Sequence, residues 1–118
     1  MSKKVYTLNS CSTCSRILKE LGVGDEFEIQ NIKESPITEE QVDQMAELAG
    51  SYEALFSRKA MKFRQWGLNE KELSEQDYRQ YIVEEYTFLK RPVFIIDNTI
   101  FVGNSKKNVE AVAQALNK

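Results

Sequence analysis

Two cysteines stand in one tetrapeptide, Cys11-Ser12-Thr13-Cys14, and the chain has no others. Two thiols separated by two residues on the first turn of a helix can close a small disulfide ring with little backbone movement. The first sulfur then attacks a substrate and the second resolves the mixed bond. Cys11 is expected at or just before the helix N-terminus, where unpaired N–H groups and the macrodipole favour a thiolate. Cys14 is expected about one turn further in. Ser12, Thr13 and Ser15 are placed to add hydrogen bonds to a thiolate or a bound oxyanion, and Arg16 is the nearest fixed positive charge in sequence. Two other readings stay open: a pair of buried structural thiols, or half of a metal site completed by another subunit.

Histidine is absent, which excludes Ser-His-Asp and Cys-His mechanisms and any zinc site that needs imidazole. Two cysteines are too few for an all-thiolate zinc site within one chain, or for a disulfide scaffold. Arg58 lies in the run Ser57-Arg58-Lys59-Ala60-Met61-Lys62-Phe63-Arg64, which holds four positive charges and no acid. That run reads as an anion site, an acidic partner's docking surface or a solvated helix face. Arg91 abuts Pro92 and an apolar run, so its cation could face the active-site end of a sheet or sit as an exposed edge charge. Pro92 is a candidate for a cis peptide bond, or simply starts the strand. Phe56, Phe63, Trp66, Tyr78, Tyr81, Tyr86 and Phe94 read as packing.

The elements that must hold these residues follow from periodicity. Val5-Tyr6-Thr7-Leu8 is β-type and ends at the turn-prone Asn9-Ser10. Ile17, Leu18 and Leu21 form one helical face, stopped by Gly22 and Gly24. Phe27, Ile29 and Ile32 suggest a second strand. Thr38 and Gln41 form a capping-box signal before Val42, Met45, Ala46, Leu48 and Ala49, with Gly50 as the stop. Tyr52 to Trp66 reads as one broken helix or two short ones, with Leu55, Phe56, Met61, Phe63 and Trp66 available to pack. Ser74 and Asp77 cap a further helix that carries Tyr78, Tyr81, Ile82 and Tyr86. Val93-Phe94-Ile95-Ile96 reads as a buried strand, turned by Asp97-Asn98 into Thr99-Ile100-Phe101-Val102. Ser105 caps a last helix with Val109, Val112, Ala113 and Leu116. The order is β-α-β, a helical block at about 38–88, then β-β-α.

At 118 residues there is room for one domain, 1–118, around one core. The 16 basic and 18 acidic side chains nearly balance, which argues against direct nucleic-acid binding. No apolar run approaches the roughly 18 residues that span a bilayer. Met1-Ser2-Lys3-Lys4 leads into the first strand without a signal-peptide pattern. The expected location is therefore the cytoplasm, where a structural disulfide would be unusual.

These pieces resemble the arsenate reductase-like branch of the thioredoxin superfamily, which includes glutaredoxin-coupled arsenate reductases and the redox regulator Spx. The marks are Tyr6-Thr7-Leu8-Asn9-Ser10-Cys11-Ser12-Thr13-Cys14-Ser15-Arg16, Ser57-Arg58-Lys59, Leu89-Lys90-Arg91-Pro92-Val93 and Phe101-Val102-Gly103. The resemblance implies an α/β fold with a thioredoxin-like (glutaredoxin-like) mixed sheet interrupted by the helical insertion. It makes Cys11 the nucleophile, Arg58 and Arg91 the oxyanion- and thiolate-stabilising arginines, and Pro92 the cis-proline beside the site. Cys14 matches the second cysteine of Spx-like members, and Gly50 a glycine through which Spx contacts the RNA polymerase alpha subunit. The implied activity is thiol-disulfide or arsenate reduction with no bound cofactor or metal. Glutathione would be co-substrate and glutaredoxin or thioredoxin the reductant. The alternative is an Spx-like redox-sensing regulator. The chain departs from plasmid-type arsenate reductases in three ways: Gly103-Asn104 stands where they carry a third arginine, no histidine precedes the nucleophile, and Cys14 is present. An oxyanion site with fewer cations holds its ligand less well.

Overall fold

The first strand, β1, spans Lys3–Thr7, and Val5, Tyr6 and Thr7 within it are buried. Burial on successive residues is what a strand covered on both faces requires. The structure, a computed structural model, describes residues 2–117. Helix α1, Ser12–Glu20, follows, and it buries Cys14 and Ile17, with Leu21 just beyond its end. The spacing of three and four residues puts all three on one face. Strand β2, Glu28–Asn31, returns parallel to β1 with Val5 opposite Ile29, which completes a β-α-β unit.

Strand β3, Val93–Ile96, is buried at all four positions and runs antiparallel to β1, with Phe94 opposite Val5. Strand β4, Thr99–Val102, pairs antiparallel with β3 across a turn in which Asp97 has φ 55°. The sheet order is β2-β1-β3-β4. Helix α5, Lys106–Ala115, starts at Ser105, whose hydroxyl accepts the Asn108 N–H at 3.1 Å. Val5, Phe94 and Ile96 of the sheet, Ile17 and Leu21, Phe27 and Val112 of α5 make one core cluster.

The second strand is shorter than the alternation of Phe27, Ile29 and Ile32 suggests, and Ile29 is 51% exposed. β2 is an edge strand, so Ile29 faces water. Phe27 sits in the turn before β2, its N–H donating to Gly24 O at 3.0 Å. From there its ring packs edge-on against Phe94, with centroids 5.8 Å apart.

The chain forms two compact units: residues up to 35 together with those from 91 onward, and residues 36–90. In the latter, helix α2, Glu39–Ala49, begins with the Thr38–Gln41 capping box and ends at Gly50 in the left-handed region, φ 97°. A 3-10 turn at Glu53–Leu55, the short helix α3, Met61–Gln65, and another 3-10 turn at Leu68–Glu70 lead to helix α4, Glu75–Glu84. Ser74 and Asp77 cap α4 reciprocally. The helix stops before Tyr86 because Glu85 leaves helical geometry and its carboxylate accepts the Thr87 N–H, opening a 3-10 turn at Tyr86–Phe88. Phe56 is the hub of this unit, stacked on Phe88 at 5.1 Å and in contact with Tyr78 and Phe63. Trp66 packs on Phe88 and Tyr81 yet is 41% exposed, and Met61, expected to pack, is 78% exposed. The chain closes this unit at its base, where Ser57 N–H donates to Phe88 O and Lys90 N–H to Leu55 O.

Candidate active site

The β1–α1 junction sets the first cysteine. Cys11 N–H donates back to Leu8 O at 2.9 Å, and Cys11 takes the N-cap position of α1 in extended conformation, φ −91° and ψ 107°. Its sulfur does what a capping oxygen usually does: Sγ accepts the Cys14 N–H at 3.4 Å. The first turn of α1 contains no acidic residue, so its exposed amides meet no other anion in that turn. An ionised sulfur suits this position, since the positive end of the helix stabilises negative charge.

Cys11 is half-buried and Cys14 fully buried, and both are free thiols. Burial works against ionisation of Cys11. The N–H and thiol of Cys14, the charge of Arg91 and the N–H of Thr13 outweigh it, and the Cys11 thiol lies below its ordinary range. Cys14 is driven the opposite way, up to about 11. Its burial is the main cause, followed by its hydrogen bond to Cys11 and repulsion from the Cys11 charge, against the Leu8 N–H and the Thr7 hydroxyl. The pair is thus a readily ionised thiol with a protonated thiol donating to it.

Arg91 is half-buried at the entry to β3, and the Arg91–Pro92 peptide bond is cis, with Pro92 buried. The Arg91 charge acts on Cys11 and favours its ionised form. Ser12 and Ser15 are exposed on α1; the part Thr13 plays at the sulfur is through its backbone N–H. Arg16 does not serve the cysteines: it pairs with Glu20 one turn on, at 2.9 Å. Gly103 is buried with φ 97°, its N–H donating to Pro92 O, and Asn104 is exposed, so no cation stands there.

Arg58 belongs to the 36–90 unit. There Nη2 donates to Glu53 Oε2 at 2.8 Å and to Tyr78 Oη at 2.7 Å, with the guanidinium over the Tyr78 ring. The basic run around it is partly neutralised, because Lys62 pairs with the largely buried Glu85 at 2.7 Å; Lys59 and Arg64 are exposed. Gly50 is exposed with open space beside it, and its left-handed φ accounts for the glycine. Among the described residues no group of three or more acidic, cysteine or histidine side chains could hold a metal, and no helix is long and apolar enough to cross a membrane. Sequence reasoning missed Thr7 and the Leu8 N–H beneath Cys14, because a strand residue and a backbone amide carry no motif of their own.

The ArsC family model matches residues 6–112. The chain is 24% identical over 107 residues to the global transcriptional regulator Spx of Lactiplantibacillus plantarum, covering 89% of this chain and 81% of that protein. Among solved structures, the arsenate reductase of Vibrio cholerae superposes with a TM-score of 0.77 at 18% identity, over 97% of each chain. An arsenate reductase (ArsC) related protein from Brucella melitensis gives 0.71 at 22% identity, over 94% of this chain and 93% of that one. At these identities the structural likeness is one of fold, and the fold is α/β and thioredoxin-like.

Proposed function

The chain belongs to the ArsC family, and from that premise we propose that it is a cysteine-dependent oxidoreductase acting on a disulfide or on arsenate. The observation that carries this reading is the seat of Cys11: the N-cap of α1, with two backbone amides and the Arg91 charge favouring its thiolate. The thiolate attacks the electrophilic sulfur or arsenic, and Arg91 steadies the anionic charge that develops there. Ser12, Thr13, Ser15 and Pro92 border the incoming group. Cys14 or glutathione then attacks the Cys11 sulfur, forming a disulfide with it as the bound thiol or arsenite leaves with two electrons, and glutaredoxin or thioredoxin reduces that disulfide. No bound cofactor or metal is needed for these steps. We assign the work to one ArsC-type domain, 1–118, in the cytoplasm, with the helical block at about 38–88 as its insertion.

The test is turnover of arsenate and of a small disulfide in a glutathione- and glutaredoxin-coupled assay. Cys11→Ser is expected to fall to background with both substrates. Full activity in that variant contradicts the mechanism.

A second reading is favoured by the likeness to Spx and by Cys14: a regulator in which oxidation of the pair alters binding to the RNA polymerase alpha subunit. Capture by the alpha C-terminal domain that changes between oxidised and reduced protein would support it. No capture in either state removes it.

A further inference from the structure

Thr7 closes β1 with its side chain 2% exposed, and it is the one buried polar residue among the described residues of its unit. A hydroxyl so enclosed needs a hydrogen-bond partner. Its backbone C=O is already engaged by the Ile32 N–H at 2.9 Å. The hydroxyl meets the sulfur of Cys14, itself wholly buried on the inner face of α1, and the Leu8 N–H reaches the same sulfur. Strand end and helix thus put two donors onto a thiol that is fully buried in the resting chain.

We propose that Thr7 is a positioning residue for the resolving step: its buried hydroxyl orients the Cys14 sulfur toward Cys11 and stabilises the thiolate from which the internal disulfide forms. This rests on the oxidoreductase reading above. In the resting pair Cys14 donates to Cys11, and the Cys11 charge opposes a second ionisation. Once Cys11 attacks a disulfide RSSR, an S–S bond forms between Cys11 and one sulfur, the substrate bond breaks and RS⁻ leaves. The Cys11 sulfur is then neutral, and its repulsion of Cys14 is gone. Cys14 releases its proton to solvent, with Thr7 and the Leu8 N–H as the donors on its sulfur. Its thiolate attacks Cys11 Sγ, closing Cys11–Cys14 and expelling the second RS⁻. The substrate gains two electrons and the pair loses two. The titratable group facing Cys14 throughout is Cys11, which lies under the charge of Arg91.

The probe is the aromatic disulfide dithiobis(nitrobenzoate), mixed with the reduced full-length chain in stopped flow across a pH series. The first thionitrobenzoate release reports Cys11 and the second reports Cys14. Thr7→Val deletes the hydroxyl at nearly constant shape, Thr7→Ala repeats the deletion should valine fail to fold in β1, and Thr7→Ser restores the donor. The expected result is an unchanged first phase in all three. The second phase of Thr7→Val or Thr7→Ala should be about tenfold slower at neutral pH, with its pH midpoint raised about one unit, and Thr7→Ser should be near wild type. A second phase in the deletion variants with wild-type rate and midpoint overturns the role of Thr7 and leaves the cysteine chemistry standing. A wild-type chain that releases a single thionitrobenzoate overturns Cys14 as the resolving thiol, and Thr7 with it.

Discussion

At Cys11 the balance is between the burial of a half-enclosed sulfur, which disfavours charge, and a short set of donors and charges that favour it. Two of the donors are backbone amides and are beyond the reach of substitution, but Arg91 is not. Arg91→Ala is expected to raise the Cys11 thiol by about one pH unit and slow its alkylation several-fold at neutral pH, whereas Arg91→Lys should keep most of the effect. Iodoacetamide alkylation followed by mass spectrometry across pH reads both. An unchanged midpoint in Arg91→Ala removes Arg91 from the site. Residue type and spacing made Cys11, Cys14, Arg91 and Pro92 legible in the sequence, because each brings a chemistry that few other residues have. Thr7 was hidden by looking like any β-former. Arg16 misled because nearness in sequence took no account of the acid at i+4 that claims it.

Among the elements, α2 and α4 show best how side chains lock a local arrangement. Arg79 of α4 grips Asp43 of α2 with two hydrogen bonds, Nε to Oδ1 at 2.7 Å and Nη2 to Oδ2 at 3.2 Å, while Tyr52 Oη donates to the same carboxylate at 2.6 Å. Arg79 first, then Tyr52, hold the Asp43 carboxyl at about 2, below its ordinary 3.8. A folded-state value below the unfolded one contributes stability above pH 3.8 and loses it as pH falls toward 2. Asp43→Asn should therefore melt at lower temperature than wild type at neutral pH and lose less on acidification through that window; parallel melting curves from pH 7 to pH 2 would contradict this. The caps make a separate prediction: Thr38→Ala and Ser74→Ala should each cost about 1 kcal/mol in urea denaturation. Caps were readable because their chemistry is local to four residues. The end of α4 and the exposure of Ile29 and Met61 were not, since they depend on neighbours distant in sequence: an edge position in the sheet, or an aromatic cluster that fills without Met61.

For the whole molecule, the order of elements was legible because glycines, prolines and caps punctuate each change of period. The sheet order β2-β1-β3-β4 was not contained in that punctuation; the family resemblance implied a mixed thioredoxin-like sheet, and the order itself is a finding of the structure. Cys11 depends on this tertiary assembly. Its amides come from the start of α1, and the Arg91 that acts on it enters from a segment distant in sequence. Unfolding separates them and should return the thiol to the ordinary value of about 8.5. The most direct measurement is the pH dependence of Cys11 alkylation in the native chain and in the same chain in concentrated guanidinium chloride. The native midpoint should fall clearly below the denatured one. Coincident midpoints, or a native value above the denatured one, would mean that the fold does not prepare this sulfur for attack.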